Sequence, residues 1–258
     1  MTRIHPTALI HPQSRIDGDV EIGPYCVIGE QVQLHRGVQV AAHVVIDGWT
    51  EIGEGCRIFP FASIGSIPQD LKFKGEKSHV IIGKENTIRE YVTVNRGTEL
   101  GGGITKIGDH NLLMAYVHVA HDCQIGSHVI LANAATLAGH ITVQDHAVIG
   151  GLTGLHQFVR IGRHAIIGGA SAVAQDVPPF VSAVGNRAKL YGLNTVGLKR
   201  HGFSDEQMTS LKTAYKILFR SKLSMKEAVE KIRNELSHSP EAQELATFVE
   251  TSERGVCR

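Results

Sequence analysis

Aromatic side chains are scarce in this chain, at 5% of 258 residues with a single tryptophan. Burial must therefore come from aliphatic groups, each contributing at roughly 25 cal/mol per Å² removed from water. Neither sign of charge is in excess, with 26 Lys plus Arg against 25 Asp plus Glu, so no global field recruits nucleic acid and no such partner is expected. No apolar run approaches the ~20 residues that span a bilayer, and the opening MTRIHPTALI lacks an apolar stretch of signal-peptide length. The chain is expected to be cytoplasmic and not membrane-embedded. Four cysteines, Cys26, Cys56, Cys123 and Cys257, form no CxxC or disulfide framework and read as small buried hydrophobes. Cys123 lies near candidate chemistry, but no flanking base marks it as a nucleophile.

What the chain does have is a fixed beat. An aliphatic residue returns every sixth position from Ile4 through Ile10, Ile16, Ile22, Ile28, Leu34, Val40, Ile46, Ile52 and Ile58 to Ile64. The beat resumes at Ile82, Ile88 and Val94, then runs from Ile107 to Val173. A period of six fits neither an α-helix nor a heptad, but three straight segments of six make one triangular turn of 18, and a period sustained this long marks a solenoid. Small or β-branched residues four places after the aliphatic anchor, such as Val20, Cys26, Val32 and Ala62, should also face inward. Glycine often follows the anchor, as at Gly23, Gly53 and Gly108, and is expected to make the bends.

Two interruptions, near 65–81 and 95–106, read as loops. The gap from Ile64 to Ile82 is 18 residues and counts as one whole turn, whereas the phase slips by one residue between Val94 and Ile107. A rigid solenoid with few loops makes each a candidate wall or lid for a site. The repeats fade after Asp176. Ser204 with Gln207, Ser224 with Glu227, and Ser239 before Pro240 are helix starts, so the expected organisation is a β-solenoid over 1–190 and a helical domain over 191–258.

Histidines carry the functional signal. His110, His128, His146 and His164 lie 18 apart and should form a vertical file at one corner, spaced about 4.8 Å per coil. His140 and His156 each fall within one position of His121 around the turn, with His118 three residues before His121. Asp122, Gly139 and Gln157 belong to the same cluster, a polar patch suited to the wall of a groove.

The hexads resemble those of the hexapeptide-repeat acyltransferases, whose fold is a left-handed parallel β-helix; the handedness comes from that resemblance. The segments HVAHDCQIG (118–126), LAGH (137–140), GLHQFVRIG (154–162), SAVAQDVPPF (171–180) and NTVGLKRHGFS (194–204) are more specific. With QDLKFKGE (69–76) and VNRGT (94–98), they look like the UDP-N-acetylglucosamine O-acyltransferases that begin lipid A synthesis. The resemblance implies transfer of a 3-hydroxyacyl group from the phosphopantetheine thioester of acyl carrier protein to the sugar 3-hydroxyl, with no further cofactor and no metal. It makes His121 the general base, Asp122 the residue that orients it, and Gly139 the backbone donor to the thioester oxygen. Adjacent residues of an ideal strand face opposite ways, so the pairing of His121 with Asp122 demands corner geometry.

By the same resemblance His118 and His140 contact sugar and acyl chain, and Gln69, Asp70 and Lys72 hold glucosamine or phosphate. His156 and Gln157 face the nucleotide, Asn194 and Arg200 hold uracil and phosphates, and Gly169 leaves room for a long acyl tail. Val196, His201 and Asn95 depart from the pattern, where Glu, Arg and His are common. The resemblance also implies a homotrimer with sites between subunits. Arg160, Arg163, Arg187, Lys189, Lys199, Lys212 and Lys216 are candidate contacts for the acidic carrier protein. Another hexapeptide-repeat sugar acyltransferase, or a γ-type carbonic anhydrase with three histidines on a metal, shares the fold and stays open; regular threonine ladders of an ice-binding solenoid are absent.

Overall fold

The structure, a computed structural model, describes residues 1–258. Each hexad contributes a short strand whose second residue is the aliphatic anchor, and Arg3–Ile4, Leu9–Ile10 and Arg15–Ile16 open the three faces of a prism. Strands pair in parallel with those one coil away, in register, so that Ile22 stacks on Val40 and Leu113 on Leu131. The faces hold eleven, nine and eight strands, and only the last pairing is antiparallel. Anchors and the residues four places later fill the interior as one apolar column from Val20 upward, while Ile4 at the amino end is 45% exposed.

The bends are not made where the glycines stand. At most corners the residue three places after the anchor makes the turn in the left-handed backbone region, and it is seldom glycine: Tyr25, His43, Asp122, His140 and His164 have φ between 54° and 62°. Each such L-residue costs roughly 1–2 kcal/mol. Ring stacking down the corners works against that cost, as in the file Tyr25, His43, Phe61, Tyr91 and Tyr116, with centroids 4.8 to 5.0 Å apart. The glycines after the anchors serve clearance between coils instead. A Cβ on Gly53 would lie 2.5 Å from the Gly83 carbonyl carbon, and one on Gly108 would lie 2.6 Å from the Gly126 oxygen.

The first loop also departs from the sequence reading. Ile64 lies on the second face and Ile82 on the third, where it pairs with Ile52, so the loop replaces no turn. It is an insertion at the corner between these faces. The second loop leaves the same corner one coil further up, between Val94 on the second face and Ile107 on the third.

Beyond Val173 the first face continues through Val181–Val184 and the antiparallel strand Lys189–Leu193, carrying the sheet past residue 190. Four helices follow: α1 (Thr195–Arg200), α2 (Asp205–Arg220), α3 (Met225–Glu235) and α4 (Pro240–Glu250). Complete capping boxes open α2 and α3, and Ser239 caps α4 ahead of Pro240. Leu211, Ala214 and Leu218 of α2 pack with Phe180 and Leu198 in a second core. The tail returns to the prism, where the Cys257 N–H donates to the Asp176 carbonyl at 2.9 Å. No helix is long and apolar enough to cross a membrane.

Candidate functional site

The corner that carries both loops also carries His121. Asp122, next in sequence, takes the left-handed turn position with φ 61°, which cancels the strand alternation and brings the two side chains together. His121 Nδ1 lies 2.8 Å from Asp122 Oδ2. The Asp122 side chain is fully buried and also accepts from the Thr98 N–H at 2.8 Å and the Thr98 hydroxyl at 2.6 Å. An ionised carboxylate only accepts, so the network assigns the proton to Nδ1 and leaves the Nε2 lone pair available.

Gly139 sits one coil above, against that ring. A Cβ there would lie 2.6 Å from His121 Cε1 and 2.8 Å from Nε2, so no larger residue fits without moving the imidazole. The Gly139 N–H donates to no acceptor within the chain. His140, at the next left-handed position, meets the His121 ring edge-on at 5.0 Å and stacks on Phe158 at 4.5 Å. Burial pushes the His140 pKa down, with nearby Asp122 opposing, His121 adding to the fall, and Asp70 of the first loop opposing. His118 projects from the second face, 2.7 Å from the Thr93 hydroxyl, and burial followed by the charge of His121 lowers its pKa. His156 and Gln157 are exposed on the same edge. A cavity of about 550 Å³ runs along the second face, lined by His118, Ala138, Gly154, His156, Gln157 and Arg187.

The loops close the lower side. Asp70 Oδ1 accepts from the Lys72 N–H at 2.9 Å, and Asp70, Lys72, Thr98 and Glu99 line a cavity of about 340 Å³ between the loops, with Gln69 exposed beside it. Asn95 braces the loops by donating to the Ile67 carbonyl at 3.0 Å.

Three of the expected residues lie elsewhere. Gly169 is on the corner between the first and second faces, where a Cβ would meet only Gly151, at 3.2 Å from its oxygen. Asn194 caps α1, accepting from the Gly197 N–H at 3.1 Å and donating to the His164 carbonyl at 3.0 Å, which ties it to the corner between the third and first faces. Arg200 is exposed at the end of α1. Within one chain, Asn194 and Arg200 do not join His121.

The second histidine file stacks as expected, with centroids 5.0, 4.8 and 4.7 Å apart from His110 to His164. His201 leans edge-on against His146 and His164, both at 4.8 Å. The stacked rings of His146 and His164 lie within 1° of parallel, so their in-plane lone pairs cannot converge on one ion without rotation. Cys123 is fully buried, its thiol pushed up to about 12 by that burial, and it stays protonated at neutral pH. Sequence reasoning missed Thr93, Thr98 and Phe158. Thr98 was hidden because the loop breaks the hexad phase; Phe158 was readable as the position 18 after His140.

A stack of hexads with an aspartate-oriented histidine at a corner defines a hexapeptide-repeat acyltransferase, and the family profile for bacterial transferase hexapeptides matches residues 1–36 and 104–139. A second profile, described as domain 2 of UDP-N-acetylglucosamine O-acyltransferase, matches residues 176–257. The acyl-[acyl-carrier-protein]--UDP-N-acetylglucosamine O-acyltransferase of Thermodesulfovibrio yellowstonii is 59% identical over 258 residues, covering all of both chains. The enzyme of that name from Syntrophobacter fumaroxidans is 48% identical over 99% of this chain and 100% of its own. The solved UDP-N-acetylglucosamine O-acyltransferase of Moraxella catarrhalis superposes with a TM-score of 0.96 at 43% identity, covering 99% of each chain. The chain belongs to the UDP-N-acetylglucosamine O-acyltransferase family, and its prism is the left-handed parallel β-helix of that family.

Proposed function

We propose that the protein transfers a 3-hydroxyacyl group from acyl carrier protein to the 3-hydroxyl of UDP-N-acetylglucosamine, the first step of lipid A biosynthesis, with His121 as general base. The observation that carries the base assignment is the buried Asp122 carboxylate on Nδ1, which leaves Nε2 free on a ring packed against Gly139, whose N–H is unengaged. Nε2 takes the hydroxyl proton as the sugar oxygen attacks the thioester carbonyl. Asp122 stabilises the imidazolium so formed, and the Gly139 N–H meets the charge on the carbonyl oxygen. Collapse expels the phosphopantetheine thiolate, which takes the proton back from His121. The thioester supplies the driving group, so this route uses no further cofactor or metal.

His118 and His140, both held toward the neutral form by burial, suit contacts to sugar and acyl chain. Gln69, Asp70 and Lys72 are assigned to glucosamine and phosphate, and His156 and Gln157 to the nucleotide side. The cavity along the second face is the proposed acyl path, and Gly169, on the corner between the first and second faces, is assigned to leaving room for a long chain. Asn194 and Arg200 stand on another edge of the same prism, so their proposed nucleotide role requires an adjacent copy, which supports a homotrimer with shared sites. The proposed compartment is the cytoplasm.

The test combines UDP-N-acetylglucosamine with a series of 3-hydroxyacyl carrier proteins. His121→Ala is expected to lower kcat by about 10²–10⁴ with the fold retained. Full activity in that variant removes the base assignment.

A further inference from the structure

The second loop begins and ends on Asp122. At its start, the Thr98 N–H reaches Asp122 Oδ1 at 2.8 Å and the Thr98 hydroxyl reaches Oδ2 at 2.6 Å, so one residue holds both carboxylate oxygens. Near its end, the Thr105 hydroxyl accepts from the Asp122 N–H at 2.8 Å. Thr98 is the residue just before the short helical turn Glu99–Gly101, the capping position where a threonine ordinarily caps the backbone, yet its side chain makes no capping bond. Its hydroxyl is spent on the carboxylate instead. Thr98 is 5% exposed and Thr105 is fully buried, so water does not compete for either bond.

The loop is shaped to come this close. A Cβ on Gly101 would collide with the Asp122 carboxyl group, and one on Gly97 would lie 2.8 Å from Asp122 Oδ1. The loop is in turn braced on the first one, with the Arg96 N–H on the Ser66 carbonyl at 3.1 Å and the Glu99 N–H on Glu76 Oε1 at 3.3 Å. Thr98 also lines the cavity that holds Asp70 and Lys72.

We propose that Thr98 is a positioning residue: its hydroxyl fixes the Asp122 carboxylate in the rotation that presents Oδ2 to His121 Nδ1, and so links the two loops to the orientation of the base. This rests on the reading of His121 as general base. A carboxylate left with one fewer donor swings about its Cβ–Cγ bond, and the imidazole that it anchors loses its fixed aim. A group that acts by orientation changes turnover and leaves substrate affinity alone.

The experiment compares Thr98→Val, nearly isosteric but without a donor, with Thr98→Ser, which restores the hydroxyl, in steady-state assays with UDP-N-acetylglucosamine and 3-hydroxymyristoyl carrier protein. Thr98→Val is expected to lower kcat by about ten- to a hundredfold while both KM values stay within about twofold, and Thr98→Ser to recover most of the loss. In the Asp122→Asn background, Thr98→Val should cost nothing further, because the carboxylate it orients is gone. Gly101→Ala, which presses on the same carboxyl group, should reproduce the kcat loss. Wild-type kcat in Thr98→Val, a loss carried by KM, failure of Thr98→Ser to rescue, or full additivity with Asp122→Asn overturns the proposal. His121→Ala separates the two readings. An inactive His121→Ala beside an unimpaired Thr98→Val sinks the positioning role alone, whereas an active His121→Ala sinks the base assignment beneath it.

Discussion

Lowering the pH from 7 to 4 should remove stability through His164. Its burial comes first among the causes, followed by His146, His201 and Arg163 and opposed by Asp145, and together they push its pKa from the ordinary 6.5 down to about 4. The folded protein therefore keeps the ring neutral where the unfolded chain binds a proton. A depressed native pKa means that the contribution is complete above about 6.5 and is lost progressively as the pH falls toward 4. A gap of about 2.5 units at 1.36 kcal/mol per unit sets the loss at no more than about 3 kcal/mol. The assay is thermal unfolding followed by circular dichroism at pH steps from 7 to 4, on the wild type and on His164→Asn, since asparagine tolerates the left-handed corner. At about 2–4 °C per kcal/mol, the wild-type midpoint should fall by up to roughly 6–12 °C more than that of the variant. Parallel midpoint curves for the two proteins across this window refute the reasoning.

Two further outcomes follow from the packing. Gly53→Ala forces a methyl group to within 2.5 Å of the backbone one coil away, and should destabilise by about 1–3 kcal/mol, whereas Gly18→Ala, with nothing within 4 Å, should not. Urea unfolding of both variants reads the difference. Cys123 should resist iodoacetamide in the native protein at pH 8 and react only on unfolding, as mass spectrometry of the labelled peptide would report; rapid native labelling contradicts its burial.

The prism was legible because its period is rigid. Each anchor from Ile22 to Ile167 occupies the interior that its spacing assigns. Counting modulo 18 likewise grouped His121, His140 and His156 on one edge and stacked His110 through His164 on another. What the period hides is anything outside its phase. The jump from Ile64 to Ile82 looked like a complete turn because 18 is a multiple of six; only strand pairing shows that Ile82 takes the very next side. Thr98 stood inside the second loop motif, but its contact with Asp122 was not readable for the same reason, since a residue in an insertion has no phase to count. The corner conformation was misread because glycine advertises bends, although histidine, aspartate and tyrosine make them here and the glycines give neighbouring coils room.

Both excursions leave through one vertex, on successive storeys, and the chain re-enters on the next wall as though nothing had intervened. Their lengths are thereby decoupled from the aliphatic column within. Residues can be added or removed at that vertex without rethreading a single rung, so the machinery that greets a substrate is free to vary while the scaffold beneath it keeps its count.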